Sequence, residues 1–184
     1  AVPKGRSVAL HADPPIATAD VFRFPAFCML AMGIAAVTIG NARGALADFA
    51  AVAASSTSQG SRRTLAERNV VQSEFAQASG LGEAARARFH TAIDALWHAV
   101  QAGHIPIEDR ANLRLACAHA AQACAEATRR VYDLGGGAAV FLDSPLQRRF
   151  RDAHVITHHI MVAPSVFELA GRVLLGLPTR DTLL

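Results

Sequence analysis

The chain has 184 residues, enough for one domain with a real core. Hydrophobic residues make up 52% and charged residues 18%, which excludes a disordered chain. The net charge of +3 is carried almost wholly by arginine, with Lys4 the only lysine, and so mild an excess argues against a dedicated nucleic-acid binder.

Residues 1–19 contain Pro3, Pro14 and Pro15 and read as a strand-and-linker remnant of a preceding domain, with Val8-Ala9-Leu10 as a short strand. Residues 20–184 read as a helical bundle domain. Asp20 is the expected N-cap of a first helix running to about Ala54. Its interior is nearly uncharged, so it is expected to be buried on most sides. The same stretch imitates a secretory leader ending in Ala45-Leu46-Ala47, which would leave a mature N-terminus at Asp48. The uncharged run from Pro25 to Ala42 is short for a bilayer span, and the helical pattern continues past it. A core helix in a cytoplasmic protein, with no membrane partner, is the preferred expectation.

A polar loop from Ser55 to Ser61 follows. Thr64 and Glu67 then fit a capping box, in which hydroxyl and carboxylate satisfy orphan amides reciprocally. Val71, Phe75, Ala78, Gly82, Ala85, Phe89, Ala92, Leu96 and Ala99 recur at alternating spacings of four and three, the seam of a coiled-coil-like bundle. A second helix over 64–101 would span about 57 Å. Pro106, Glu108 and Asp109 open a third, whose stripe is Leu113, Cys117, Ala120, Cys124, Ala127 and Val131. Gly135-Gly136-Gly137 stops it. Ser144 and Gln147 suggest another capping box, with Pro145 at the first helical position of the last helix. Pro164 should bend or interrupt that helix before it ends at Gly176 and Pro178. The fold class is therefore all-α, an antiparallel four-helix bundle. Cys28, Cys117 and Cys124 form neither a disulfide framework nor a CxxC motif and read as small core residues in a reducing compartment.

Chemistry concentrates between Ser144 and His159, where three arginines and three histidines lie beside one aspartate. On one helix, Arg148, Asp152, Val155, His159 and Val162 would share a face, with Arg148 and Asp152 as a surface ion pair. His154 and His158 are four apart and could clasp a metal, but no third ligand is in view. A DNA-reading helix is disfavoured by the apolar segment after His159. The remaining option is a cofactor. A histidine at the inner face of the bundle would lie near the glycine turn, where backbone can approach a ring or phosphate closely. Arg62 and Arg63, ahead of the second helix, could meet a phosphate. The bland alternatives are a glycine C-cap and a solvated arginine corner.

The run from Gly135 to His159, followed by "APSVFELAGRVLLG", resembles the C-terminal helical domain of the acyl-CoA dehydrogenase superfamily. The Gly-Gly turn before a helix bearing R-x-x-R-D (Arg148 to Asp152) and "RRTLAERNVVQSEFAQA" carry the resemblance, which covers roughly residues 20–178. Dehydrogenases that take their base from the last helix carry a glutamate shortly after the R-D pair. Here that place holds Ile160 and Met161, preceded by His158-His159. This resembles the flavin-dependent monooxygenases, the oxygenase halves of two-component systems. The resemblance implies FMN or FAD, supplied reduced by a separate flavin reductase, a small aromatic or polycyclic substrate, and a dimer or tetramer. It implies His159 as the active-site histidine, with His158 close behind. Imidazole titrates near neutral pH and suits a base acting on a phenol. It also implies Gly136 and Gly137 along the flavin, Arg62 or Arg63 on its phosphate, a contact that can cross a subunit boundary, and Gln72 as a weaker contact. Arg151 and Asp152 would organise the helix start. Family members place an N-terminal helical domain and a β-barrel domain before this bundle, so the chain is expected to be inactive alone and to expose apolar surface. A non-catalytic bundle for oligomerisation, or a dehydrogenase-type oxidoreductase domain, are the alternatives.

Overall fold

Alanine spacing decides which helix takes the centre of this molecule. The structure is a computed structural model that describes residues 2–7, 17–57, 60, 62–179 and 183–184. The strand expected at Val8–Leu10 lies outside them. Among the described residues five α-helices follow one another: α1 Ala26–Ser55, α2 Asn69–Ala102, α3 Ile107–Leu134, α4 Pro145–Thr157 and α5 Ser165–Leu174. Helix α3 packs against α1, α2, α4 and α5. Its Ala111, Ala116, Ala118, Ala120, Ala121 and Ala127 are all buried. A methyl side chain lets a neighbouring helix approach closely from any direction, so an alanine-rich helix can be covered all round.

Helix α1 differs from its expectation. It buries Cys28, Ala31, Ala35, Ile39, Ala42, Ala45, Phe49 and Ala53 on one side. Met29, Leu30 and Val37 lie exposed on the other. One face is covered and one is open: α1 packs mainly against α3 and α4, and α2 meets it lightly. By length and composition alone α1 could cross a membrane, but its inner face forms part of the core here.

Three helix boundaries also differ. Asp20 is not a cap: it is the first residue of a 3₁₀ turn over Asp20–Arg23, makes no capping bond and pairs with Arg23 at 2.6 Å, and α1 starts only after Pro25. Proline disfavours helical backbone in the residue before it, and Phe24 is extended (φ −65°, ψ 133°). The capping box at Thr64 is present: Glu67 Oε2 accepts from the Thr64 amide at 2.7 Å and its hydroxyl at 3.0 Å. It closes a 3₁₀ turn over Leu65–Glu67, and α2 begins after an extended Arg68. The Leu65 amide donates to Ser56 O at 2.8 Å, which fastens this turn to the end of α1 and delays the helix. Ser144 makes no side-chain cap bond; Pro145 in the first turn and the buried Leu146 set the start of α4 instead.

The core is continuous with the seams read from the sequence. On α2 Val71, Ala78, Ala85, Phe89, Ala92 and Leu96 are buried, with Val100 replacing Ala99 at the end. On α3 the whole stripe from Leu113 to Val131 is buried. All three cysteines are free and buried, and burial pushes their thiols up, to about 12 for Cys28 and Cys117 and about 11 for Cys124.

Candidate flavin site: a histidine turn and a glycine groove

Helix α4 ends at Thr157, two residues short of His159. The Thr157 hydroxyl donates to His154 O at 2.7 Å and takes up a carbonyl the next turn would need. Tight turns then carry the chain to Pro164, with His158 N bonded to Val155 O and His159 N to Ile156 O. The single helical face expected through His159 and Val162 is therefore broken: Val162 is buried, whereas His158 and His159 are both exposed and not on the inner face of the bundle. His159 Nδ1 accepts from the Met161 amide at 3.3 Å, so Nε2 is the ring nitrogen that this contact leaves available.

His154 does other work. It meets Phe150 O at 2.8 Å and packs on the Phe150 ring, which in turn stacks on Tyr132 at 4.4 Å. Among the described residues no group of three metal-ligating side chains forms. Arg148 and Asp152 pair at 3.5 Å on the surface, and Arg151 lies 3.9 Å from the same carboxylate.

Two arginines that the sequence pattern did not single out position this region. Arg149 Nε meets Asp48 at 3.0 Å, while its backbone carbonyl accepts from Asn41 Nδ2 at 2.9 Å. Its guanidinium lies over Gly44, where a Cβ would come within 2.5 Å of Cζ. Gly44 and Asp48, four apart on α1, were the available signal. Arg114 of α3 is buried and donates from Nη1 to Met161 O at 3.0 Å and Phe27 O at 3.3 Å, tying the histidine turn to the start of α1. It is the only charged residue between Arg110 and Glu126.

The glycine turn forms a second feature. Gly135 packs tightly: a Cβ there would meet Leu146 Cδ1 at 2.9 Å and Ala139 Cβ at 3.0 Å. Gly136 has φ +56°, which favours glycine, and a Cβ on Gly136 or Gly137 would meet open space. Both line a groove of about 740 Å³ shared with Leu65, Arg68, Val71 and Asp133. Gln72 does not line it. Its Nε2 donates to Ala66 O at 2.9 Å, and it borders a smaller cavity with Phe49 and Phe75. Arg62 and Arg63 are exposed in the bend before Thr64 and do not line the groove either; Arg68 is the arginine that does. Nor does the structure bring the glycines to the histidines. The 13 residues of α4 stand between them, about 20 Å along the axis.

A central alanine helix, with a glycine turn and a histidine turn at opposite ends of α4, frames the candidate site. A model of "Acyl-CoA dehydrogenase, C-terminal domain" matches residues 32–164, and the chain belongs to this family. It is 32% identical over 169 residues to an indole-3-acetate monooxygenase of Acinetobacter baumannii, covering 91% of this chain and 43% of that protein. It is 34% identical over 167 residues to a pigment production hydroxylase of Rhodococcus erythropolis, covering 86% and 41%. Among solved structures, the HsaA monooxygenase from M. tuberculosis superposes with a TM-score of 0.78 at 27% identity, covering 90% of this chain and 42% of that one. The chain thus spans less than half the length of these relatives.

Proposed function

We propose that this chain is the C-terminal flavin-site and oligomerisation domain of a two-component flavin-dependent monooxygenase that hydroxylates an aromatic substrate with reduced flavin and O2. The observation that carries it is the turn after α4. It presents His158 and His159 to the outside, fixed by the Met161 amide and by Arg114, and no glutamate lies between Glu126 and Glu168 to abstract a substrate proton as in a dehydrogenase. The names of the relatives, indole-3-acetate monooxygenase and pigment production hydroxylase, support this reading.

The glycine groove fits a flavin. Gly136 and Gly137 leave bare backbone beside open space, and Arg68 supplies a cation at the same wall. These residues would hold FMN or FAD, with Arg62 and Arg63 at the nearby corner. When bound, the reduced flavin supplies the electrons that activate O2. The separation along α4 supports a division of the site: the glycine groove takes the far end of a dinucleotide or a flavin shared with a second copy, and the histidine turn faces the reacting ring. His159 would accept the proton from the substrate at Nε2, while Nδ1 stays engaged with Met161 N–H. The exposed Met29, Leu30 and Val37 of α1 support self-association into a dimer or tetramer. Residues 1–19 are then the end of a preceding domain and 20–184 the bundle, in a cytoplasmic enzyme served by a flavin reductase.

His159→Ala in the complete gene product tests this. Turnover with indole-3-acetate, reduced flavin and O2 is expected to fall by about 10²–10⁴ while flavin affinity holds. Undiminished turnover would remove the histidine assignment.

A further inference from the structure

Met161 makes three contacts at the histidine turn, and one of them is chemically soft. Its amide donates to His159 Nδ1 at 3.3 Å, its carbonyl accepts from Arg114 Nη1 at 3.0 Å, and its thioether Sδ accepts from the same Nη1 at 3.6 Å. Phe27 O accepts from that nitrogen too, at 3.3 Å. A guanidinium Nη carries two hydrogens, so three acceptors share two donors. The thioether is the weakest of the three, and the two carbonyls therefore hold Arg114 between the histidine turn and the start of α1.

The Met161 sulfur is also within reach of a small oxidant. Its side chain is partly buried and lines a cavity of about 310 Å³ with Phe27, Arg114, Ile160 and Leu169. Ile160 on this wall is 72% exposed, so the cavity opens to solvent. The three thiols, which would otherwise compete for peroxide, are buried and held neutral. We propose that Met161 is an oxidation site through which hydrogen peroxide resets the histidine turn. A sulfur lone pair attacks one peroxide oxygen, and the S–O bond forms as the O–O bond breaks. The sulfur gives up two electrons, and the proton of the transferred oxygen passes to the departing hydroxide, which leaves as water. The product exchanges a weak acceptor for a strong, polar one. The sulfoxide oxygen competes for Arg114 Nη1, so Met161 O or Phe27 O must give up a hydrogen, and the turn holding His159 shifts against α1. Hydrogen peroxide is what O2 becomes when it takes two electrons from a reduced flavin without hydroxylating a substrate. That local source of oxidant, and no other part of the proposal, rests on the monooxygenase reading.

The test is peptide mass spectrometry and NMR of the protein treated with hydrogen peroxide, with no flavin present. Met29, 44% exposed on α1, is the internal reference. Met161 is expected to gain one oxygen at a rate within about tenfold of Met29, and slower conversion would overturn the proposal. The His159 imidazole signal is expected to move as Met161 oxidises; a signal that stays in place overturns it as well. Met161→Leu keeps both backbone contacts and cannot take the oxygen, so peroxide should leave the His159 signal of that variant unmoved. An equal movement there assigns the effect elsewhere. Met29→Leu, a change on the open face, should preserve the whole movement, and its loss would count against Met161 even if Met161→Leu fails to fold. Because peroxide is added and flavin left out, failure here leaves the monooxygenase reading standing, and failure of that reading leaves the oxidation site.

Discussion

Helices α1 and α3 run side by side and use small residues in opposite ways. On α3 the alanines face in every direction, because four helices surround it. On α1 only Ala31, Ala35, Ala42, Ala45 and Ala53 turn inward, while Ala36, Ala47, Ala50, Ala51 and Ala54 stay outside with Met29, Leu30 and Val37. The greasier helix is the less covered one. Burial here follows the number of neighbours a helix can admit at close range, not the hydropathy of its own side chains. The remaining wet side of α3 is organised by charge. Glu126 accepts from Arg129 at 2.7 Å and from Arg130 at 2.9 Å, and Arg130 reaches across to Glu74 of α2 at 3.1 Å.

Three perturbations would break or sharpen this contrast. The largest effect is expected at the centre: Leu113→Ala removes a fully buried side chain and should cost about 2–5 kcal/mol in urea unfolding. A loss below about 1 kcal/mol would show that α3 is not the packed centre. A smaller effect is expected at its charged edge. Hydrogen bonds and charge from Arg129, then Arg130, hold the Glu126 carboxyl below the usual carboxylate range. A carboxyl lowered on folding stabilises above its unfolded value of about 4.3, and that contribution fades as pH falls through the folded value. Glu126→Gln should therefore destabilise at pH 7 by under about 1 kcal/mol, since the pair is partly exposed, and lose less than the parent on acidification. Urea midpoints at pH 7 and pH 3 would read this out; parallel pH profiles would assign no role to the pair. The smallest effect is expected on the open face of α1. Val37→Ser should change stability by under about 0.5 kcal/mol in dilute protein. A larger loss that grows with protein concentration would show that a second copy covers this face.

Much of the molecule was legible in advance because its signals are periodic. The stripes on α2 and α3 gave both helices and most of their buried residues, and the glycine turn with its R-x-x-R-D helix pointed to the family. What was not legible depends on contacts between distant segments. The end of α4 was hidden because Val155, Ile156, Ile160 and Val162 prolong an apolar pattern through the turn. The late start of α2 depends on Ser56 holding Leu65. Arg62 and Arg63 drew notice by adjacency in sequence, whereas Arg68 reaches the groove only because the chain extends there. Arg114 could have been noticed as the lone charge in the apolar stretch between Arg110 and Glu126; its place beneath the histidine turn could not.

The two arginine contacts on either side of α4 have a mechanical meaning. Near its start, Arg149 lies flat on Gly44 and grips Asp48; beyond its end, Arg114 holds the Met161 carbonyl. A short rod pinned at two places can neither slide nor roll, so His159 is carried on a fixture and not on a hinge. Removing one pin would turn the same rod into a lever. A methyl group at position 44, more than a hundred residues before the imidazole, would push the end of the Arg149 side chain off that seat and loosen one of the two pins.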